Sequence, residues 1–133
     1  MIPDPDYLKN LLDAFRSAPE PTTDIQELQN SGLNFNDPKF EFHLKLLVDD
    51  RYVECDNGRP DIGLRKGADG YCQWSVVPLR LTAAGHEFAE ALDNHNAFET
   101  VKTKFLGASI STMKDVAVAM LKSEIARHTG LQF

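Results

Sequence analysis

LRLTAAGHEFAEAL, residues 79–92, carries the transition that decides the fold. Leu79 to Leu81 reads as a short strand. Phe88, Ala89 and Leu92 then recur at a spacing that places them on one side of a helix. Thr82 stands between the two. Its side-chain oxygen is suited to accept from the free amides of a first helical turn. The stretch is thus a strand that runs through a cap straight into an amphipathic helix.

Upstream lies FEFHLKLLVDDRYVE, residues 40–54. Asp37 and Pro38 before it are a cap and a first helical residue, so a helix is expected over residues 37–50. Phe40, His43, Leu44, Leu47 and Val48 form its core stripe. Lys39, Glu41, Phe42, Lys45, Leu46 and Asp49 point outward. Phe42 and Leu46 sit one turn apart off the main stripe. They are expected to pack on the C-terminal helices or, alternatively, to mark a partner surface. A strand follows over residues 52–56. The polar tip NGRPDIGLRKGADG, residues 57–70, carries four glycines with Arg59, Arg65 and Lys66. Residues 71–81 return as a strand with Trp74, Val76 and Val77 as packing residues, and Pro78 marks an edge or a bulge. Helix, strand, tip, strand and helix in this order describe an α+β winged helix-turn-helix domain, with its β-hairpin wing over residues 52–81.

The flanks complete one domain over residues 1–133, with a core at 1–93 and a helical extension at 94–133. Leu8, Leu11, Leu12 and Phe15 stripe a first helix over residues 3–17, capped by Asp4 and stopped by Pro19 and Pro21. Residues 22–29 fit either a short strand or one helical turn, and a strand added to the later hairpin is the reading taken here. After a break at residues 94–96, Phe98, Val101 and Phe105 define a fourth helix that ends at Gly107. Ser109 or Ser111 opens the last helix, and Gly130 closes it. Met113, Val116, Ala117, Met120, Leu121 and Ile125 give that helix a wide apolar face. Core packing is expected there, with a homodimer interface through the C-terminal helices as the alternative.

The 133 residues are 42% hydrophobic and 26% charged, ordinary for a globular domain with one core. No apolar run is long enough to span a membrane. The first residues, MIPDPDYLKN, lack the basic start and apolar stretch of a secretory signal, so the expected location is cytoplasmic. Cys55 and Cys72 fall on the two hairpin strands, where they could face each other across the ladder; two small half-buried thiols are expected, with a disulfide as the alternative. The net charge is −6. Residues 1–37 hold seven acids against Lys9 and Arg16, whereas residues 38–86 balance seven acids with seven bases. An acidic chain argues against simple phosphate binding, since cationic contacts supply most non-specific affinity for nucleic acid.

The chemistry-bearing residues do not assemble into a reaction centre in sequence. His43 and His86 lie beside apolar residues on helices and are expected to be packed imidazoles, because a general base also needs a pocket and an orienting partner. No nucleophile sits in a recognisable elbow. The glycines of the tip do not follow a phosphate-loop pattern. The Cys and His spacing matches no zinc pattern. No catalytic residue, metal site or cofactor is therefore expected.

HLKLL at residues 43–47, followed by LTAAGHEF at residues 81–88, resembles a bacterial and prophage family of uncharacterised function. Its pattern is His-x-Lys-Leu-Leu … Leu-Thr-x-x-Gly-His-x-Phe. The likeness runs from Asp37 to about Ile125 and implies a winged helix, with no activity to carry over. In DNA-binding winged helices the helix before the wing enters the major groove. Here that helix lacks the Arg, Asn or Gln that usually read base edges. The sequence points to a non-enzymatic regulatory or adaptor module acting by protein contact. One form of it is an acidic inhibitor that presents carboxylates to a nucleic-acid-binding machine. A transcriptional regulator that binds DNA is the alternative. The expected contact residues are Lys39, Phe42, Lys45, Leu46, Arg59, Arg65 and Lys66.

Overall fold

A computed structural model describes residues 1–130. Asp4 accepts from the Asp6 and Tyr7 amides and starts α1 (Pro5–Arg16). Asp24, Asp37, Thr82, Asn94 and Ser109 do the same for α2 (Ile25–Asn30), α3 (Pro38–Asp49), α4 (Ala83–Asp93), α5 (His95–Lys104) and α6 (Ile110–Thr129). Every helix among the described residues thus begins at a side chain that satisfies amides the helix itself leaves unpaired. Between α3 and α4 lie β1 (Val53–Cys55), β2 (Leu64–Lys66), β3 (Cys72–Trp74) and β4 (Leu79–Leu81). They form two separate antiparallel pairs, β1 with β4 and β2 with β3. The fold is mixed α+β, as expected.

The core lies between α1, α3 and α4. Leu8, Leu11 and Leu12 from α1, Phe40, Leu44 and Leu47 from α3, and Phe88 and Leu92 from α4 are all shielded from solvent. The apolar spacing read from α1, α3 and α4 is therefore the spacing that is buried. On α6 the apolar face divides. Ile110, Met113 and Ala117 are buried, whereas Val116, Met120, Leu121 and Ile125 are only half-buried.

The junction between α3 and α4 explains the Leu-Thr-x-x-Gly run. Arg51 takes a left-handed conformation, with φ of 60°. Its amide donates to the Val48 carbonyl at 3.0 Å and the Tyr52 amide donates to Leu47 at 2.8 Å. This is a Schellman closure of α3, with arginine where glycine is usual, at a conformational cost of ~1 kcal/mol. The closing turn is then held from the far side. Thr82 donates its hydroxyl to the Arg51 carbonyl at 2.6 Å and its amide to the Tyr52 carbonyl at 3.0 Å. The same hydroxyl oxygen accepts the Gly85 amide at 3.1 Å. Thr82→Ala removes a cap and a cross-link together, and should cost about 1–2 kcal/mol in urea denaturation. Thr82→Ser should retain most of that stability.

Several expectations need correction. Residues 22–29 are not a strand. Only Thr23 pairs, with Leu79 through two reciprocal 2.8 Å bonds, because Asp24 caps a helix immediately afterwards. The return strand expected over residues 71–81 is broken between Trp74 and Leu79. There Ser75 donates to Gly63 at 2.7 Å, the Asp56 amide donates to Pro78 at 2.9 Å, and Pro78 has no amide to continue a ladder. The expected polar tip contains a second hairpin, in which Lys66 pairs with Cys72. Cys55 pairs with Leu79 in the other sheet, so the two thiols do not face each other; Cys55 is buried and Cys72 exposed. Val76, read as a packing residue, is exposed. The break after α4 narrows to Asn94 alone, which ends one helix and caps the next.

Candidate functional site

The residues expected to touch a partner come from α3 and from the hairpin segment, and the structure brings some of them together. Phe42 and Leu46 do not pack on the C-terminal helices. They line an open groove of about 450 Å³ between α3 and β3. Phe35, Cys72 and Trp74 complete its apolar side, and Glu41 and Lys45 stand at its edge. The Trp74 ring meets Phe40 edge-on at 5.6 Å and Phe35 at 6.2 Å, so aromatic packing holds the wall in place. The groove was not visible in sequence because Phe35, Phe42 and Trp74 belong to three separate segments. Trp74 was expected only to pack, and Phe35 carried no signal, standing alone in a loop.

The candidate cations are mostly engaged already. Lys39 lies 3.3 Å from Asp4. Lys45 and Lys66 converge on Glu41, at 3.5 and 2.8 Å. Arg65 grips Asp61 with two 3.1 Å bonds. The Lys66 hydrogen bond is the main reason the Glu41 carboxyl lies below its ordinary range. The Arg65 contact likewise holds Asp61 down at about 2. Arg59 is the member of the set without an ion-pair partner among the described residues. It lines a separate depression with Val48, Asp49 and Arg51. The groove thus gathers Phe42, Lys45 and Leu46, with Lys66 bound to its rim, and leaves Arg59 and Arg65 elsewhere.

The acidic segment has local duties too. Asp4, Asp24 and Asp37 cap helices. Asp13 pairs with Lys9 at 2.7 Å, Asp6 with Lys102 at 3.3 Å, and Glu27 accepts from the Thr23 hydroxyl at 2.7 Å. Most of the carboxylates in residues 1–37 therefore serve the fold. A different acidic group surrounds Tyr52. Burial pushes its phenol up to about 12, and Asp50 just past α3, Asp115 of α6 and Glu87 of α4 add to the shift.

The two histidines part company. His86 is exposed, contrary to expectation. His43 is 1% exposed and both its ring nitrogens are occupied. Nδ1 donates to the Lys39 carbonyl at 2.7 Å, and Nε2 accepts the Asp4 amide at 2.9 Å. Tyr7 lies against the ring at 4.7 Å. These partners require the neutral imidazole, since a second N–H would oppose the Asp4 amide. Burial lowers the His43 pKa from 6.5 and Lys39 assists, while the Lys39 carbonyl and the charges of Asp4 and Asp37 oppose. The unfolded chain therefore takes up a proton first on acidification. Stability should fall as pH drops below about 6.5, and continue to fall until the depressed native value is passed. Urea denaturation across this range should show the loss in the wild-type chain and a flatter profile in His43→Gln. An unchanged slope in the variant would assign the effect to other groups.

No three side chains among His, Cys, Asp and Glu cluster as metal ligands among the described residues. No helix of the described residues is long and apolar enough to cross a membrane. No family model, curated protein or solved structure matches this chain.

Proposed function

We propose that this chain is a non-enzymatic, winged-helix binding module that acts by protein contact through the face between α3 and the β2–β3 hairpin. The winged-helix reading is supported by the order of elements. A short helix and a longer one, α2 and α3, are joined by a turn. The β1–β4 ladder follows, with its connection drawn out into a second hairpin, and Thr23 adds a third strand position beside β4. The non-enzymatic reading is supported by His43, whose ring is locked between two backbone groups.

One observation carries the choice of protein over nucleic acid. Four of the five cations that would approach phosphate are paired with carboxylates of the same chain. Binding DNA would require breaking those pairs on a chain of net charge −6. Little counterion release would remain to drive it. Beside them lies an open groove lined by the half-buried rings of Phe35, Phe42 and Trp74, the kind of surface that protein interfaces use for anchors. Most carboxylates of residues 1–37 are engaged as helix caps or in pairs within the chain, which weakens an acidic-inhibitor mechanism for that segment.

Titration of mixed-sequence duplex DNA at low salt tests the choice. No saturable shift is expected. A shift that weakens steeply with salt and is lost in Arg59→Ala would favour the transcriptional-regulator reading instead.

A further inference from the structure

The contacts that lock His43 also fix the chain ahead of α1. The Lys39 carbonyl can only accept, so the proton of the neutral ring sits on Nδ1, and Nε2 is left as acceptor for the Asp4 amide. That 2.9 Å bond is the first attachment of the main chain to another element. Among the described residues, Met1, Ile2 and Pro3 make no hydrogen bond or ion pair of their own. They lie toward the turn after α5 and line an open groove of about 410 Å³ with Leu106, Lys39 and His43. Met1 and Ile2 are 73 and 62% exposed, whereas Pro5 is buried and Leu8, Leu11 and Leu12 anchor α1 in the core. A loosely held stretch therefore meets a firmly held helix at Asp4.

A proton on Nε2 reverses one contact and leaves the others. The ring then sets N–H against N–H at Asp4, while Nδ1 goes on donating to Lys39. The charged and titratable groups facing the ring come from two elements. The start of α1 brings the Asp4 carboxylate and the Tyr7 phenol, and α3 brings the Lys39 ammonium and the Asp37 carboxylate. The turn after α5 brings the uncharged Leu106. Burial pushes the phenol up to about 12, so it stays neutral throughout. Burial is also the main force against a charged ring; Lys39 adds to it, and Asp4 and Asp37 draw the proton in. The Asp4 carboxylate itself is held in place, by the Asp6 and Tyr7 amides and by Lys39. The peptide between Pro3 and Asp4 is the part with nothing else to hold it.

We propose that His43 is an acid-operated latch: on taking a proton at Nε2 it expels the Asp4 amide, and residues 1–3 swing off α3 while α1 stays in place. Their departure lets water reach the ring and stabilise the imidazolium, so protonation and release support each other. Release uncovers α3 at Lys39 and His43 and removes Met1 from the groove beside Phe42 and Trp74. The latch is independent of what that surface contacts.

Nuclear magnetic resonance of the isotope-labelled full chain, from about pH 7.5 to about 5, tests this. The His43 ring and the Asp4 amide should titrate together below pH 6.5, as the Ile2 methyl signals sharpen with new motion. The released fraction should grow by up to about tenfold per pH unit, the limit for one proton. The Leu11 and Leu12 amides should stay protected from exchange. Asp4→Asn keeps the amide and a capping side chain but removes a charge that draws the proton, so the midpoint should move to lower pH. Lys39→Gln should move it to higher pH. The wild-type titration decides the matter even if a variant fails to fold. An Asp4 amide that does not follow the His43 ring overturns the latch. Loss of Leu11 and Leu12 protection in step with His43 also overturns it, because the helix would then open with the segment.

Discussion

Gly85→Ala is expected to destabilise the fold by about 3 kcal/mol, although alanine is the better helix former by ~1 kcal/mol. A Cβ at Gly85 would run into the Tyr52 carbonyl oxygen and come within 3.1 Å of the Leu81 side chain. The obstacle on the Tyr52 side is backbone, which has no rotamer to escape into. Relief requires α4 to move off the start of β1. That movement stretches the 3.0 Å bond from the Thr82 amide to Tyr52 and disturbs the Thr82 hydroxyl at Arg51. The penalty therefore combines overpacking with the loss of buried hydrogen bonds, and outweighs the gain in helix propensity. The midpoint of urea denaturation should fall while its slope holds. A variant as stable as the wild type would show that α4 does not approach Tyr52 this closely. The prediction also gives the Leu-Thr-x-x-Gly run a physical meaning. Threonine ties the two connections together, and glycine lets them touch.

Phe40→Ala is the second large expected loss, about 3–5 kcal/mol, the usual cost of emptying a buried aromatic site. Phe40 is fully shielded and its ring supports the edge of Trp74. Truncation leaves a cavity beneath β3 and frees one side of the indole. Denaturation measures the first effect. A red shift of Trp74 emission in the folded variant measures the second. A large stability loss with unchanged emission would mean that Phe35 alone holds the indole. The two readouts separate support of the core from support of the groove wall, which meet in this one residue.

The parts of the fold that sequence reading reached are those governed by neighbours along the chain. The Asp37–Pro38 start of α3, its stripe of Phe40, Leu44 and Leu47, and the Thr82 cap all rest on interactions within a turn or two. Ambiguity grew wherever one residue could satisfy two local rules. Ile25 and Leu28 suit a strand or a helical turn equally. The Asp24 side chain, which accepts from the Gln26 and Glu27 amides, settled it as a helix. The hairpin reads as one wing interrupted only at Pro78, because nothing local says that Ser75 will turn to Gly63 and open a second hairpin.

Local chemistry, then, was enough to set helix starts, apolar faces and an α+β class, since caps and periodicity act over a few residues and hardly depend on the rest of the molecule. The candidate site required the folded chain. Lys66 reaches Glu41 across 25 residues, and Lys39 reaches Asp4 across 35. Whether a lysine is free to greet a partner is set by which carboxylate folding carries to it, and distance in space along these long loops is not encoded by any short pattern. The same holds for the groove, where three aromatic rings from separate segments converge through packing of the whole core.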